Sequence, residues 1–386
     1  MFISDTHLPQ CLPAETYRDP EWYQREIEKI LLPSWQLIAT THEFKKEGSF
    51  VTRELFGRPL LLRQEEGAIH GFVNVCAHRF SRVELRTCGH SDVIRCPYHG
   101  WEYDGVTGDT QKIPDAPSFR PLKKGELGMQ VVRVETCGSL VFVCLQEGGT
   151  SLREYLGDVW DLLETRTGRP SAMVAHTVDQ SVCNWKIALE NTLESYHVGL
   201  VHKKYLGDSP EEVDCAHVMQ PGWTYFEGPG NESKLFQIVQ KFLLARIGKE
   251  TDVRYSHTYV YPTLTFGRVD GVTIFWVYIP IALDRVELRT IAFCHQADTG
   301  WRRFWNFGLR LLAKGEAVFW RKVVNQDMAL LPDIYRGAKS PTLPSKGLIS
   351  RREERIPHFQ KWILQQMGEN PQPTGESAPS DSVCNT

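Results

Sequence analysis

The sequence predicts an α+β chain in two parts. A mostly-β domain spans residues 36–150, and a larger domain, built from residues 1–35 and 151–367, carries an antiparallel sheet and flanking helices. Three observations lead there. The chain has 386 residues, which at about 150 residues per domain suggests two or three domains, with two favoured. Between Trp35 and Leu145, short apolar or alternating runs such as SFVTREL, PLLLRQ and SLVFVCL recur between turn residues, the pattern of half-buried strands. After a polar break at Gly148–Ser151, helical runs flank a second β-rich block.

The elements follow in order. Residues 20–32 (PEWYQREIEKILL) read as an amphipathic helix, with Pro20 suited to its first turn and Trp22, Ile27, Ile30 and Leu31 on its apolar face. The strands of the first domain come next, with Asp104-Gly105 and Thr107-Gly108 marking a turn. A helical run, NWKIALENTLESYHVGLVH, starts at Asn184. Residues 206–250 read as irregular and polar, 255–295 as hairpin-spaced strands, and 301–330 as helix again. The tail 368–386 is rich in Pro, Ser, Gly and Asn and is expected to be disordered. There is no internal repeat.

Composition narrows the function classes. With 41% hydrophobic and 24% charged residues, the chain can bury a core and is not intrinsically disordered. A net charge of −3 offers no footprint for nucleic acid or an anionic membrane. The longest apolar stretch, Val272–Leu283, contains Pro280 and falls short of the ~20 residues of a membrane span. Met1–Pro13 lacks a basic region followed by an apolar run, so a cytoplasmic protein with reduced thiols is expected. The oddity is ten cysteines and thirteen histidines, too few cysteines for a disulfide scaffold in a chain this long.

Four of these residues form a pattern: Cys76-x-His78, then Cys96-x-x-His99. Two such pairs on two loops can close around one metal centre, either a zinc ion or a two-iron cluster. Zinc fingers usually pair Cys with Cys and His with His. Here each loop offers one Cys and one His, so each can supply one ligand to each iron. Cys88 and His90 lie between the pairs and read as ordinary loop residues. The pattern, with the trailing Gly100-Trp101, resembles the Rieske [2Fe–2S] domain. The resemblance implies that Cys76 and Cys96 hold one iron and His78 and His99 the other. It also implies that Gly100 allows a close turn and that Tyr98 and Trp101 pack beside it.

The second pattern is Glu194, His197 and His202. Five residues along an ideal helix rotate a side chain ~140° off its face. Two histidines on one metal therefore require the helix to bend or end between them, and Gly199 is a plausible place. Glu194 sits three residues before His197, within reach of the same face. Two histidines and a carboxylate make the facial triad of mononuclear non-haem iron. The N-x-x-E-x-x-H-x-x-x-x-H run resembles the catalytic segment of Rieske non-haem iron oxygenases, and both motifs occur in the order of that family. The resemblance implies a third ligand on a late helix. Asp327 in VVNQDMALLPDIYRG is the match, and Asp333, after Pro332, is its rival. Tyr335 stands where relatives often have Gln. Glu194 stands where Asp is usual, with Glu found mainly in relatives that act on quaternary amines. The resemblance gives this position a bridging role between a cluster histidine of one subunit and an iron-ligand histidine of the next.

The family resemblance implies a helix-grip catalytic domain and the terminal oxygenase of a multicomponent system. Its cofactors would be the [2Fe–2S] cluster and mononuclear Fe(II), with O2 as co-substrate. NAD(P)H would act only through a partner ferredoxin or ferredoxin reductase, since the chain has no G-x-G-x-x-G run. The reaction would be aromatic dihydroxylation, as in aromatic hydrocarbon catabolism, or mono-oxygenation of a small organic substrate. The alternative is oxidation or oxidative N- or O-demethylation of a quaternary amine or ether. A homotrimer is implied, with or without a small beta subunit, and neither nucleic acid nor membrane is an expected partner. Val198, Leu200, Tyr261, Phe266 and Phe275 are candidates for the cavity wall or for core. Two readings of another class, a Rieske electron-transfer module and a zinc-stabilised interaction protein, leave unexplained the large region that follows the cluster domain.

Overall fold

The computed structural model describes residues 4–230, 234–251, 254–269, 271–342 and 347–369, and the tail expected to be disordered lies outside these from residue 370. Helix α1 (Pro20–Glu26) begins where the Asp19 carboxylate accepts the Glu21 N–H, with Pro20 in the first turn. It runs on as a π-helical turn over Ile27–Leu31, which buries Ile30 and Leu31.

The first part is a seven-stranded antiparallel sheet. Its strands are β1 (Gln36–Thr40), β2 (Ser49–Leu55), β3 (Arg58–Glu65), β4 (Ala68–Val73), β5 (Cys88–His90), β9 (Val131–Cys137) and β10 (Leu140–Cys144), in the order β1-β10-β9-β4-β3-β2-β5. A small three-stranded sheet, β6 (Ile94–Arg95), β7 (Glu102–Tyr103) and β8 (Thr110–Lys112), stands beside it. Phe50, Phe72, Trp101, Tyr103, Cys76 and Cys96 share one buried cluster. The loops bearing the Cys/His pairs are therefore anchored on a compact apolar base.

The second part is another seven-stranded antiparallel sheet. It contains β11 (Ser171–Ser181), β12 (Ala216–Gln220), β13 (Trp223–Pro229), β14 (Arg254–Val260), β15 (Leu264–Val269), β16 (Val272–Ala282) and β17 (Arg285–His295), in the order β11-β17-β16-β15-β14-β13-β12. The apolar stretch Val272–Leu283 is almost wholly the interior strand β16, whose first nine residues are buried. One contact to the first part is Arg289 donating to the Ile38 carbonyl at 3.0 Å, and another is Thr263 donating to Gln36 at 2.7 Å.

The long helix α5 (Asn306–Ala338) lies against β11 and β17. The sequence reading ends this helix near residue 330, but it continues through Pro332. Proline removes the N–H that would bond the carbonyl four residues back. That carbonyl, Met328, instead accepts the Ser181 hydroxyl at 3.5 Å, so the missing donor is replaced from β11.

Residues 206–250 are not irregular. They hold β12, β13 and the helix α4 (Lys234–Arg246). β12 alternates exposed and half-buried positions, which hides it in a polar stretch. Strand β11 and the C-terminal helix α6 (Arg355–Met367) are further elements the sequence reading did not name. The helix from Asn184 also differs. It is α3 (Trp185–Thr192), capped by the Asn184 side chain, and it ends well before His197.

A buried polar frame fixes α3. Lys186 Nζ and Glu26 Oε1 pair at 2.7 Å with both side chains fully enclosed. Glu26 also accepts the indole N–H groups of Trp22 (2.7 Å) and Trp185 (2.9 Å), and Lys186 donates to the Thr16 carbonyl at 3.0 Å. A buried pair is stable only when such extra bonds satisfy it. One turn on, Glu190 accepts from Tyr17 at 2.7 Å and from Gln360 of α6 at 2.9 Å. Burial pushes the Glu190 carboxyl up to about 7.

Candidate metal centres and the cavity between helix and sheet

The two Cys/His loops share one hydrogen-bond scheme. In the first, the Phe80 N–H donates to the Cys76 carbonyl (3.0 Å) and the Cys76 N–H to the Ser81 carbonyl (2.8 Å). In the second, Gly100 donates to Cys96 (3.0 Å) and Cys96 to Trp101 (2.8 Å). Both loops turn through a left-handed residue four positions after the cysteine: Phe80 at φ 59° and Gly100 at φ 75°. This is the turn expected of Gly100.

The loops meet. The imidazoles of His78 and His99 lie 4.7 Å apart, centre to centre. His78 stacks on Trp101 at 5.1 Å, and Tyr98 packs on His99 at 3.8 Å. Both cysteines are buried, whereas His99 is exposed and His78 half-buried. Burial raises the Cys96 thiol, and a bound metal would favour its thiolate. His78 Nδ1 is buried and makes no hydrogen bond. A solvent-excluded ring nitrogen with no partner, on a ring beside the second histidine, fits a metal ligand. Tyr103 was missed in the sequence. Its hydroxyl lies 2.9 Å from Cys76 Sγ and accepts the Ala77 N–H at 3.0 Å. Cys88 and His90 lie on edge strand β5, paired with β2.

At the second site the chain turns after α3. The Glu194 carboxylate accepts the backbone N–H of Tyr196 and, at 3.1 Å, that of His197. The break therefore falls before His197 rather than at Gly199, which lies in the short helix Val198–Val201 and donates to Ser209 at 3.0 Å. The same carboxylate bonds His197 Nδ1. His202 ends the short helix and turns its Nδ1 to the Gln326 carbonyl oxygen at 3.0 Å.

Three donor atoms then converge. His197 Nε2 and His202 Nε2 are 3.2 Å apart. Asp327 Oδ1 is 2.9 Å from His202 Nε2 and 3.6 Å from His197 Nε2. Asp327 Oδ1 is sealed from solvent and makes no well-aligned hydrogen bond despite that short contact. Bonds of ~2.1 Å at right angles separate adjacent donors on an octahedral face by about 3.0 Å. The three atoms thus fit one face around a metal ion. Burial opposes a charge on His197, but the Glu194 hydrogen bond and the charges of Glu194 and Asp327 prevail and raise its pKa. Asp333 is elsewhere, in a surface ion pair with Arg336. Tyr335 is buried in the main core.

A cavity of about 540 Å³ opens beside these residues, between α5 and the sheet. Asp327, Val323, Trp320 and Glu316 line it from successive turns of α5. Tyr255 stacks on Trp320 at 5.3 Å, and Trp276 meets Trp320 edge-on at 5.9 Å. Of the five wall candidates from the sequence, only Val198 lines the cavity. Leu200 is exposed, and Tyr261, Phe266 and Phe275 are buried in the core.

Residues 34–136 match the family described as the Rieske [2Fe-2S] domain, and residues 171–369 match the ring hydroxylating alpha subunit (catalytic domain). The chain belongs to the Rieske oxygenase alpha subunits. It is 27% identical over 370 residues to the chloroplastic choline monooxygenase of Spinacia oleracea, covering 94% of this chain and 78% of that protein. It is 31% identical over 228 residues to benzene 1,2-dioxygenase subunit alpha of Pseudomonas putida, covering 57% of this chain and 50% of that one. The fold matches the crystal structure of a quaternary ammonium Rieske monooxygenase with a TM-score of 0.75, at 20% identity, over 92% of this chain and 95% of that one.

A Rieske oxygenase alpha subunit is an oxidoreductase that incorporates oxygen from O2 as a monooxygenase or dioxygenase. Its cofactors are a [2Fe–2S] cluster and a mononuclear non-haem iron, and the family generally takes electrons from a separate reductase. No helix among the described residues is long and apolar enough to cross a membrane.

Proposed function

We propose that His197, His202 and Asp327 hold the mononuclear iron and that the cavity beside them binds a small organic substrate for hydroxylation by O2, as aromatic dihydroxylation or mono-oxygenation. The convergence of three donor atoms, two of them 2.9 Å apart, carries this reading. When bound, the iron supplies O2 activation and the cluster supplies single electrons. The chain's own residues orient the ligands. Glu194 holds the proton of His197 Nδ1, and Gln326 Oε1 holds that of His202, so both Nε2 lone pairs point at the metal position.

Cys76 and Cys96 hold one cluster iron and His78 and His99 the other. His99 is exposed, beside exposed Tyr98, and Phe80 of the first loop is exposed as well. That favours delivery of electrons to a neighbouring subunit in a homotrimer, through Glu194. The parts are a cluster domain over 36–150 and a catalytic domain over 1–35 and 151–367, in a cytoplasmic protein served by a ferredoxin or ferredoxin reductase.

A second reading, oxidation or N-demethylation of a quaternary amine, is favoured by the aromatic faces of Tyr255, Trp276 and Trp320 around the cavity. Choline monooxygenase also aligns over 94% of the chain, against 57% and 70% for two benzene dioxygenase alpha subunits. The test is iron and acid-labile sulfide content, the visible spectrum, then a substrate screen scoring coupled O2 uptake and product mass. A gain of two oxygens, one oxygen, or loss of a methyl assigns the reaction. A colourless protein with one zinc overturns the proposal.

A further inference from the structure

Arg355, the first residue of α6, lines the same cavity and is only 2% exposed. A buried guanidinium ordinarily has a carboxylate partner, because an unpaired buried charge is costly. Among the described residues Arg355 makes no ion pair. Its hydrogen bonds go to neutral groups: Nε donates to the Thr224 hydroxyl at 3.1 Å and Nη2 to His257 Nδ1 at 3.0 Å. Burial lowers its pKa only to about 10, so it stays charged at neutral pH. The adjacent Glu354 is directed to His217, 3.1 Å away.

The two bonds occupy the Nε–Nη2 edge of the fork. Nη1 makes no hydrogen bond among the described residues, and the end-on edge is left for an acceptor in the cavity. A guanidinium presents two parallel N–H donors at the spacing of a carboxylate's oxygens. A contact chain runs from Arg355 through His257 to Trp276 and Trp320 (6.1 and 5.9 Å between rings), and Trp320 stands two turns before Asp327 on α5. Arg355 and the proposed iron ligands thus line one cavity.

We propose that Arg355 is an anion subsite of the substrate cavity and that the substrate carries a carboxylate, with its apolar or cationic body between the aromatic walls. The inference rests on reading this cavity as the substrate site. Glu316 lines the same cavity from the α5 side.

The test is anaerobic titration calorimetry on the purified full chain, with two probe pairs: γ-butyrobetaine and its methyl ester, and 4-phenylbutyrate and its methyl ester. In at least one pair the acid is expected to bind about tenfold or more tightly than its ester. R355Q should abolish that preference, and R355K should keep part of it. No acid preference in either pair, or a preference that survives R355Q, overturns the proposal. The cluster spectrum and melting temperature report whether R355Q folds. If it does not, the wild-type acid–ester difference and the retention in R355K decide. Binding is read without turnover. Loss of the acid preference in a protein that still couples O2 uptake to product therefore sinks only the anion subsite. An acid preference without any uptake sinks only the oxygenase reading.

Discussion

The proposed cluster ligands come from two loops between Cys76 and His99 that repeat one hydrogen-bond scheme and rest on one apolar base. The proposed iron ligands come from His197, His202 and Asp327, and meet only because α3, a short helix and α5 are packed together. The first site is local and self-supporting. The second depends on a distant frame in which Glu26–Lys186 and Tyr17–Glu190–Gln360 tie α1, α3 and α6. The lesson is that damage to the frame should reach the second site and spare the first.

The strongest way to separate the sites is D327A. Mononuclear iron should be lost and O2-coupled turnover should fall more than about a hundredfold, while the cluster absorbance stays. If iron persists and turnover survives, Asp327 is not the ligand.

Next is pH. The folded Glu190 carboxyl lies near 7, above its ordinary 4.5. The folded state therefore holds this proton more tightly than the unfolded one. The resulting stability is complete below about pH 4.5 and is lost as pH rises through 7, an effect of up to about 3 kcal/mol. Melting curves should show stability falling between pH 5 and 8, and E190Q, which keeps an acceptor for Tyr17 and Gln360, should flatten that fall. An unchanged slope in E190Q refutes the assignment.

A smaller effect is expected from Q326L, which removes the acceptor for His202 Nδ1. Iron affinity should drop 10- to 100-fold by metal titration, with Q326E restoring most of it. Equal affinity in Q326L means that His202 needs no such support.

The smallest change compares the cluster loops with each other. G100A places a side chain at φ 75°, at a cost of about 1 kcal/mol, and its nearest neighbour, Pro114 at 3.6 Å, adds no clash. F80G relieves the same strain in the other loop. Thermal melts of the cluster absorbance should fall for G100A and not for F80G, and the reverse order breaks the equivalence of the loops.

Much of this was legible in the residues. Cys76, His78, Cys96 and His99 are close in sequence, and their spacing alone brings the loops within reach. The pair His197 and His202 was legible as a candidate, but not its geometry. The helix ends because Glu194 takes the backbone N–H groups that would continue it, a competition that spacing does not reveal. Residues 206–250 looked irregular because an edge strand with polar positions and a surface helix both dilute the apolar period.

By itself, then, the sequence determined two kinds of fact: local turn chemistry, as at Gly100, and candidate ligand types at short spacing, as in the two Cys/His pairs. Tertiary structure alone decided which distant groups meet. It placed Asp327 beside His197 and His202 and Asp333 in a surface pair, and it assembled the cavity from Tyr255, Trp276, Trp320 and Arg355. The physical reason is that sheet register and helix packing bring together residues far apart in the chain, and no periodicity along the chain encodes which of them will share a face.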